Sequence, residues 1–163
     1  MTTIALHSDL HLELQHRPTA WLTTVPGILI LAGDISYIDR VELLLVELID
    51  RHVELQIIYV TGNHEYYGCE DMLKAEDTLK ASLDDYDRIH FLQCDTVELF
   101  NIRFIGCTGW PRMLSLGKNK QQLASKIIGQ SINDFYQIGM GDKKFTTDNC
   151  IELGEHQYKW LEK

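Results

Sequence analysis

Residues 27–34, Gly-Ile-Leu-Ile-Leu-Ala-Gly-Asp, form an uninterrupted apolar run that ends in a Gly-Asp pair. A short run of this kind, closed by turn residues, predicts a buried β-strand. Residues 40–52 follow, with apolar side chains at 41, 44, 45, 48 and 49, the spacing of an amphipathic helix. Residues 54–60 are again rich in Ile, Tyr and Val and end in Thr-Gly-Asn. Strand, helix and strand of these lengths form a βαβ unit, so this stretch predicts a parallel sheet.

Further elements are predicted on both sides of this unit. Residues 3–7 form another short β-rich run before it, and residues from about 70 to 83 have helical spacing after it. The second half predicts a hairpin and helices, in the order of strands at 95–100 and 102–106, a helix over 118–135 broken near 129, a loop at 139–142 and a last helix over 152–163. No linker-like composition interrupts the chain, so we expect residues 1–163 to form a single domain of the α/β class.

Composition excludes several classes of function. The 163 residues carry a formal net charge of -9, which disfavours broad binding to nucleic acids or anionic membranes. No apolar run approaches the roughly 20 residues that a membrane span needs, and no secretory signal is visible at the N-terminus. The four cysteines form no Cys-x-x-Cys pair, which favours a protein of the reducing cytoplasm over a zinc or disulfide scaffold.

Polar side chains follow each of the first three predicted strands at the point where the strand ends. Asp9 and His11 follow the first strand, Asp34 the second, and Asn63 and His64 the third. Because ligands bind beyond the carboxyl ends of the strands in an open α/β sheet, we expect these side chains to meet at one edge. Each motif alone is ordinary turn chemistry, but their shared position favours a site. The mixture of carboxylate, imidazole and amide oxygen suits manganese, iron or zinc.

Hydrolysis of a phosphoester is the chemistry that such a site could support. Two divalent ions held close together can activate a water and neutralise a phosphoryl oxygen. Asp34 is the natural bridging carboxylate, because the glycine before it lets the backbone turn tightly into the site. We expect Asp9 and His11 to complete one side of the site and the amide oxygen of Asn63 the other. His64 would then donate a proton to the leaving oxygen or a hydrogen bond to the phosphate.

The motifs Asp9-x-His11, Gly33-Asp34 and Gly62-Asn63-His64-Glu65 resemble those of the calcineurin-like metallophosphoesterase superfamily. The resemblance continues through residues 105–110 and 132–135 and so extends over most of the chain. It implies a four-layer αββα sandwich around two divalent metal ions, and hydrolysis of phosphomonoesters or phosphodiesters by a metal-bound hydroxide. It also implies ligands and a catalytic group, with Asp9, His11 and Asp34 on the first metal, Asp34 and Asn63 on the second, and His64 as the catalytic histidine.

The chain also departs from the pattern that it resembles. That pattern continues with a later histidine and a Gly-His-x-His motif, whereas only His90 and His156 follow His64 here, and we expect both to be structural. We therefore expect the sandwich to be incomplete at its C-terminus and the second metal site to be weak. A truncated product, a chain completed by a partner and a degenerate scaffold are the three explanations, and we favour the first.

From these observations the sequence predicts a metal-dependent phosphoesterase acting on a phosphorylated small molecule or another phosphoester. The alternative is an inactive scaffold or fragment that acts through a partner. A dinucleotide-binding fold shares the βαβ start but requires a Gly-x-Gly-x-x-Gly turn that is missing. Arg112 could clamp a phosphoryl oxygen, although a solvated loop arginine is the more ordinary interpretation. An exposed sheet edge would make a homo-oligomer a reasonable expectation.

Overall fold

The protein is described by a computed structural model that covers residues 2–14, 26–113 and 117–163. These residues form two compact units. The first unit comprises Met1–Glu65 and Leu73–Thr108, and the second comprises Tyr66–Met72 and Gly109–Lys163.

The first unit is built on a four-stranded parallel sheet. Its strands lie side by side in chain order, β1 (Ile4–His7), β2 (Ile28–Ala32), β3 (Gln56–Val60) and β4 (Ile89–Phe91). Helix α1 (Ile38–Arg51) connects β2 to β3, and helix α2 (Met72–Leu83) precedes β4. The parallel βαβ unit predicted from the sequence is therefore confirmed, with strand starts shifted by one or two residues.

The two faces of this sheet pack against different elements of the first unit. The four side chains of one face of β2 and β3 are completely inaccessible to solvent, namely Leu29, Leu31, Ile57 and Tyr59. Helix α1 contacts β3 and buries its own apolar stripe, including Val41, Leu45 and Leu48, as its helical spacing predicts. Ile28 and Ile58 point to the opposite face because side chains alternate along a strand, and they form a cluster with Leu92.

A β-hairpin covers that opposite face. Strands β5 (Asp95–Leu99) and β6 (Ile102–Gly106) pair antiparallel, and Val97, Leu99 and Phe104 pack against the cluster. The two turn residues, Phe100 and Asn101, have φ angles of 53° and 62°. Left-handed backbone at both positions is the geometry of a type I′ turn, whose twist matches that of the strands. The hairpin therefore forms as predicted, without the usual Asn-Gly pair, and the first unit has the mixed α/β class that the sequence predicts.

The second unit contains helices α3 (Lys118–Gly129), α4 (Asp134–Gln137) and α5 (Thr147–Leu161), with the short antiparallel strands β7 (Gly139–Met140) and β8 (Lys143–Lys144) between α4 and α5. Aromatic rings form its core. Trp110 stacks on Tyr66 and packs against Phe145, which in turn stacks on Phe135. The break near Gly129 agrees with the sequence prediction, because α3 ends there and the separate helix α4 follows.

Two sequence predictions in this unit are wrong. Gly139 and Met140, predicted as part of a loop over 139–142, form strand β7 and pair with β8, and only residues 141–142 form the turn between the strands. The last helix begins at Thr147, five residues before the predicted start, because Thr146 caps it. The Thr146 hydroxyl oxygen accepts the backbone N–H of Asn149, and the Asn149 side-chain oxygen accepts the N–H of Thr146. This reciprocal cap satisfies two N–H groups that a helix start leaves without intrahelical partners.

None of the helices in the described ranges combines the length and the apolar character that are needed to cross a bilayer.

Candidate metal centre

The loops that follow β1 and β2 are held side by side by backbone hydrogen bonds. The N–H of Asp9 donates to the carbonyl of Gly33 at 3.1 Å, and the N–H of His11 donates to that of Asp34 at 3.0 Å. A third bond, from Leu12 N–H to the carbonyl of Ile35, has a length of 2.8 Å. These bonds continue the contact between the parallel strands past their carboxyl ends. They bring the residues after β1 next to those after β2, as the sequence predicts.

Three of the predicted ligands have a backbone conformation that L-residues rarely adopt. The φ angles of Asp9, His11 and Asp34 are 55°, 46° and 55°. Such left-handed backbone costs on the order of 1–3 kcal/mol per residue and persists only where surrounding contacts impose it. The backbone hydrogen bonds between the two loops involve all three residues and help to hold them in this conformation.

Glycines allow the loop after β2 to approach the loop after β3. Gly33 has a φ of 82°, and a side chain built on it would place its Cβ 2.9 Å from the Cα of Gly62. A Cβ on Gly62 would lie 2.7 Å from the backbone nitrogen of Asp34. Both distances are too short for real carbon contacts, so this crossing requires glycine at both positions.

A buried carboxylate joins these two loops. Glu65 has no solvent-accessible surface, and one of its oxygens accepts the N–H of Asp34 at 2.9 Å and that of Gly62 at 2.8 Å. The other oxygen accepts the N–H of Ile35 at 2.7 Å. Burial raises the pKa of the Glu65 carboxyl, and these amide hydrogen bonds partly oppose that rise. The sequence motif contains Glu65, but the sequence alone assigns no role to it.

Three side chains converge where these loops meet. Ligand atoms of His11, Asp34 and His64 all lie within 4.8 Å of one another, and all three residues are half-buried. The ring centroids of His11 and His64 are 4.5 Å apart in an edge-to-face arrangement. The backbone N–H of His64 also donates to the Asp34 carboxylate at 3.0 Å. One carboxylate and two imidazoles at this separation fit a divalent cation such as manganese, iron or zinc.

Two further predicted ligands, Asp9 and Asn63, lie in the loops after β1 and β3. The carboxylate of Asp9 lies outside the three-residue group and accepts a hydrogen bond from the Ser8 hydroxyl. Asn63 occupies the loop between Gly62 and His64, directly after β3. His64, which the sequence predicts as a proton donor beside the metals, lies within the group of potential ligands.

Arg112 belongs to the second unit, where other side chains engage it. Its Nε donates to the Glu155 carboxylate at 2.8 Å, and its guanidinium lies 3.8 Å from the ring centroid of Tyr158. The hydrogen bond to Glu155 raises the pKa of Arg112. These contacts account for the position of the side chain within its own unit, and its role toward a phosphate stays a prediction.

The two later histidines are the ones that we expect to be structural. His90 is the central residue of β4, and its Nε2 lies 2.9 Å from the side-chain oxygen of Gln56. Burial lowers the pKa of His90 and so favours the neutral imidazole. His156 is exposed on helix α5.

Comparison with known proteins identifies the family. The family model of the calcineurin-like phosphoesterases matches residues 2–163. The chain belongs to the calcineurin-like phosphoesterase family. This confirms the family prediction made from the motifs at Asp9, Gly33 and Gly62. Members of this family hydrolyse phosphoesters and typically use divalent metal ions, in agreement with the grouping of His11, Asp34 and His64.

The chain is also similar in sequence to a viral protein. The chain is 31% identical over 101 residues to "Uncharacterized protein L509" of Acanthamoeba polyphaga mimivirus. The aligned region is 60% of this chain and 34% of the viral protein. The chain therefore spans about a third of the length of the curated relative that it matches.

Proposed function

We propose that this chain is a metal-dependent phosphoesterase that hydrolyses a phosphomonoester or a phosphodiester. The observation that supports this proposal best is the convergence of His11, Asp34 and His64 within 4.8 Å. These residues come from three separate strand ends, and the buried Glu65 carboxylate joins the loops after β2 and β3.

Each residue of the group has a proposed task. Asp34 and His11 bind a divalent cation through a carboxylate oxygen and an imidazole nitrogen. When bound, such ions supply Lewis acidity and activate water at neutral pH. Asp9 would add a ligand on the side of His11, and Asn63 would bind a second ion together with Asp34.

His64 is proposed as the group that gives a proton to the leaving oxygen. Its ring lies against that of His11, so it can act on a phosphoester held at the same place. Its position also allows the His64 imidazole to bind a metal ion directly. A His64→Gln variant distinguishes proton donation from metal binding. Loss of a proton donor lowers turnover while leaving manganese affinity unchanged. Loss of a ligand lowers manganese affinity as well.

The substrate and the setting are also part of the proposal. The net charge of -9 favours a small phosphorylated molecule over nucleic acid. None of the four cysteines forms a disulfide bond within the described residues, which favours the cytoplasm as the compartment. Manganese is the proposed ion for assays, since carboxylate and imidazole ligands accept it. Self-association is proposed through β1, which lies at an edge of the sheet formed by the described residues and in which Leu6 is 65% exposed.

A second candidate is a scaffold that binds a cation without catalysing hydrolysis. The sequence contains no Gly-His pair, so the later histidine ligands of the family pattern have no counterpart in the 163 residues. Three close protein ligands can hold one ion, but a second ion would rest mainly on Asp34 and Asn63.

The experiment measures hydrolysis of a chromogenic phosphodiester and a chromogenic phosphomonoester with added manganese. Three proteins are compared, namely the 163-residue chain, Asp34→Asn and the matched control Asp39→Asn, which changes an exposed aspartate at the start of α1. We expect turnover in the chain and in the control, and its loss in Asp34→Asn. If the 163-residue chain binds manganese but none of the three proteins hydrolyses either substrate, the scaffold is favoured. Equal turnover in all three proteins would refute the assignment of Asp34.

A further inference from the structure

The side chain of Glu13 is buried beside His11 of the candidate metal centre, and the sequence motifs assign no role to it. It lies in the short 3-10 turn Leu12–Leu14 that follows His11. The side chain is 4% exposed, and one of its carboxylate oxygens lies 3.3 Å from Nδ1 of His11. The second oxygen is buried and accepts no hydrogen bond from any residue in the described ranges. Glutamate is rarely buried in this way, because withdrawing a carboxylate from water is costly unless a specific contact compensates.

The contact with His11 has a definite consequence for the imidazole. A neutral imidazole has one N–H and one nitrogen with a free lone pair. A carboxylate can only accept, so the nitrogen that faces Glu13 must bear the hydrogen. The lone pair is then on Nε2, and a cation can bind to the ring only through that nitrogen. Glu13 is not a member of the three-residue ligand group, so it acts on the site through His11.

We propose that Glu13 is a positioning residue that holds His11 in the Nδ1–H tautomer, an inference that rests on the proposed metal-binding function. A carboxylate behind a metal-binding histidine fixes the ring orientation and makes the imidazole a stronger ligand. This role gives the buried Glu13 carboxylate a specific partner at one of its two oxygens. It also differs from the role of Glu65, which binds backbone amides and holds the loops themselves.

The first experiment reads the tautomer of His11 without any metal. The full 163-residue chain is labelled with ¹⁵N in its histidines, and long-range ¹H–¹⁵N correlation spectra are recorded at about pH 8, where imidazole is ordinarily neutral. A nitrogen that carries hydrogen and one that carries a lone pair have widely separated ¹⁵N shifts. Wild type is compared with Glu13→Leu, which removes the acceptor at similar volume, and with Glu13→Gln, which keeps one acceptor oxygen. Glu98→Leu, at an exposed position on β5, is the control.

We expect His11 to be protonated on Nδ1 in wild type, in Glu13→Gln and in the control. In Glu13→Leu the hydrogen should move to Nε2 in a large fraction of molecules. A wild-type His11 protonated on Nε2, or a Glu13→Leu spectrum identical to wild type, would overturn the proposal.

The second experiment measures manganese affinity by calorimetry, beside the urea midpoint of each metal-free variant. We expect Glu13→Leu to bind manganese about 10–100-fold more weakly than wild type. Its urea midpoint should be unchanged or raised, because an apolar residue of similar size replaces a buried charge. A lowered midpoint with affinity within twofold of wild type would instead show a merely structural residue. If wild type binds no manganese while the tautomer depends on Glu13 as expected, the proposed function fails and the tautomer assignment stands.

Discussion

Replacement of Glu65 should separate the loops that carry the candidate metal ligands. This carboxylate accepts the backbone N–H groups of Asp34, Ile35 and Gly62 at 2.9, 2.7 and 2.8 Å. Glu65→Ala removes every one of these acceptors and leaves a space that a water can fill only in part. Glu65→Gln keeps one oxygen, which can still accept from Asp34 and Gly62, but its NH₂ group then faces the N–H of Ile35.

The magnitude follows from the burial of the three donors. A buried donor without an acceptor costs about 1–3 kcal/mol. Ile35 is completely buried, whereas Asp34 and Gly62 are half-buried and can recover part of the loss from water. We therefore expect Glu65→Ala to lower the free energy of unfolding by about 3–5 kcal/mol, comparable to breaking a buried ion pair. Glu65→Gln should cost only about 1–2 kcal/mol, because it loses one buried bond but no longer buries a charge.

The assay is urea unfolding of the metal-free chain followed by far-ultraviolet circular dichroism. Glu98→Gln is the matched control, because Glu98 pairs with Arg103 at 3.1 Å on the solvent-exposed hairpin and such pairs contribute at most about 1 kcal/mol. The expected order of stability is control above Glu65→Gln above Glu65→Ala. If Glu65→Ala unfolds within about 0.5 kcal/mol of the control, the three amide hydrogen bonds do not hold these loops together.

Four further predictions follow from the same geometry. Asp34→Asn should weaken manganese binding by at least about tenfold in calorimetry, because the central carboxylate of the ligand group loses its charge. Gly62→Ala should lower the free energy of unfolding by about 1–3 kcal/mol in urea titrations, since the added Cβ would lie 2.7 Å from the Asp34 nitrogen; an unchanged midpoint would contradict this. Burial raises the pKa of Cys150 to about 12. At about pH 8, iodoacetamide should therefore alkylate Cys150 at least about tenfold more slowly in the folded chain than in urea, which peptide mass mapping measures. Burial lowers the pKa of His90 below its ordinary 6.5. The stability that its neutral form contributes is therefore fully present above about pH 6.5 and is lost as the pH falls below that value. Between about pH 7 and pH 5, the urea midpoint of His90→Gln should fall by less than that of wild type.

Much of the first unit can be predicted from local sequence. The apolar runs that become β2 and β3, and the 3.6-residue spacing that becomes α1, are local patterns that report directly on burial. Parallel pairing follows from the length of the connection between the strands. The meeting of His11 with Asp34 is then a topological consequence, because neighbouring parallel strands end at the same edge.

Other features could not be read from local patterns. The early start of α5 depends on a Thr146–Asn149 cap, and Asn is a weaker capping-box signal than the usual Glu or Gln. The β7–β8 pair is only two residues long on each side, too short for alternation to be visible.

The sequence by itself determined the βαβ order of the first unit, its parallel sheet and the family, because these depend on residue type at fixed local spacing. Only the tertiary structure shows that Glu13 contacts His11 and that Glu65 accepts the backbone N–H groups of two loops. The physical reason is that these roles depend on directional hydrogen bonds and burial. Glu65 reaches Asp34 and Ile35 across 31 and 30 positions of the chain, a separation that no local sequence pattern reports.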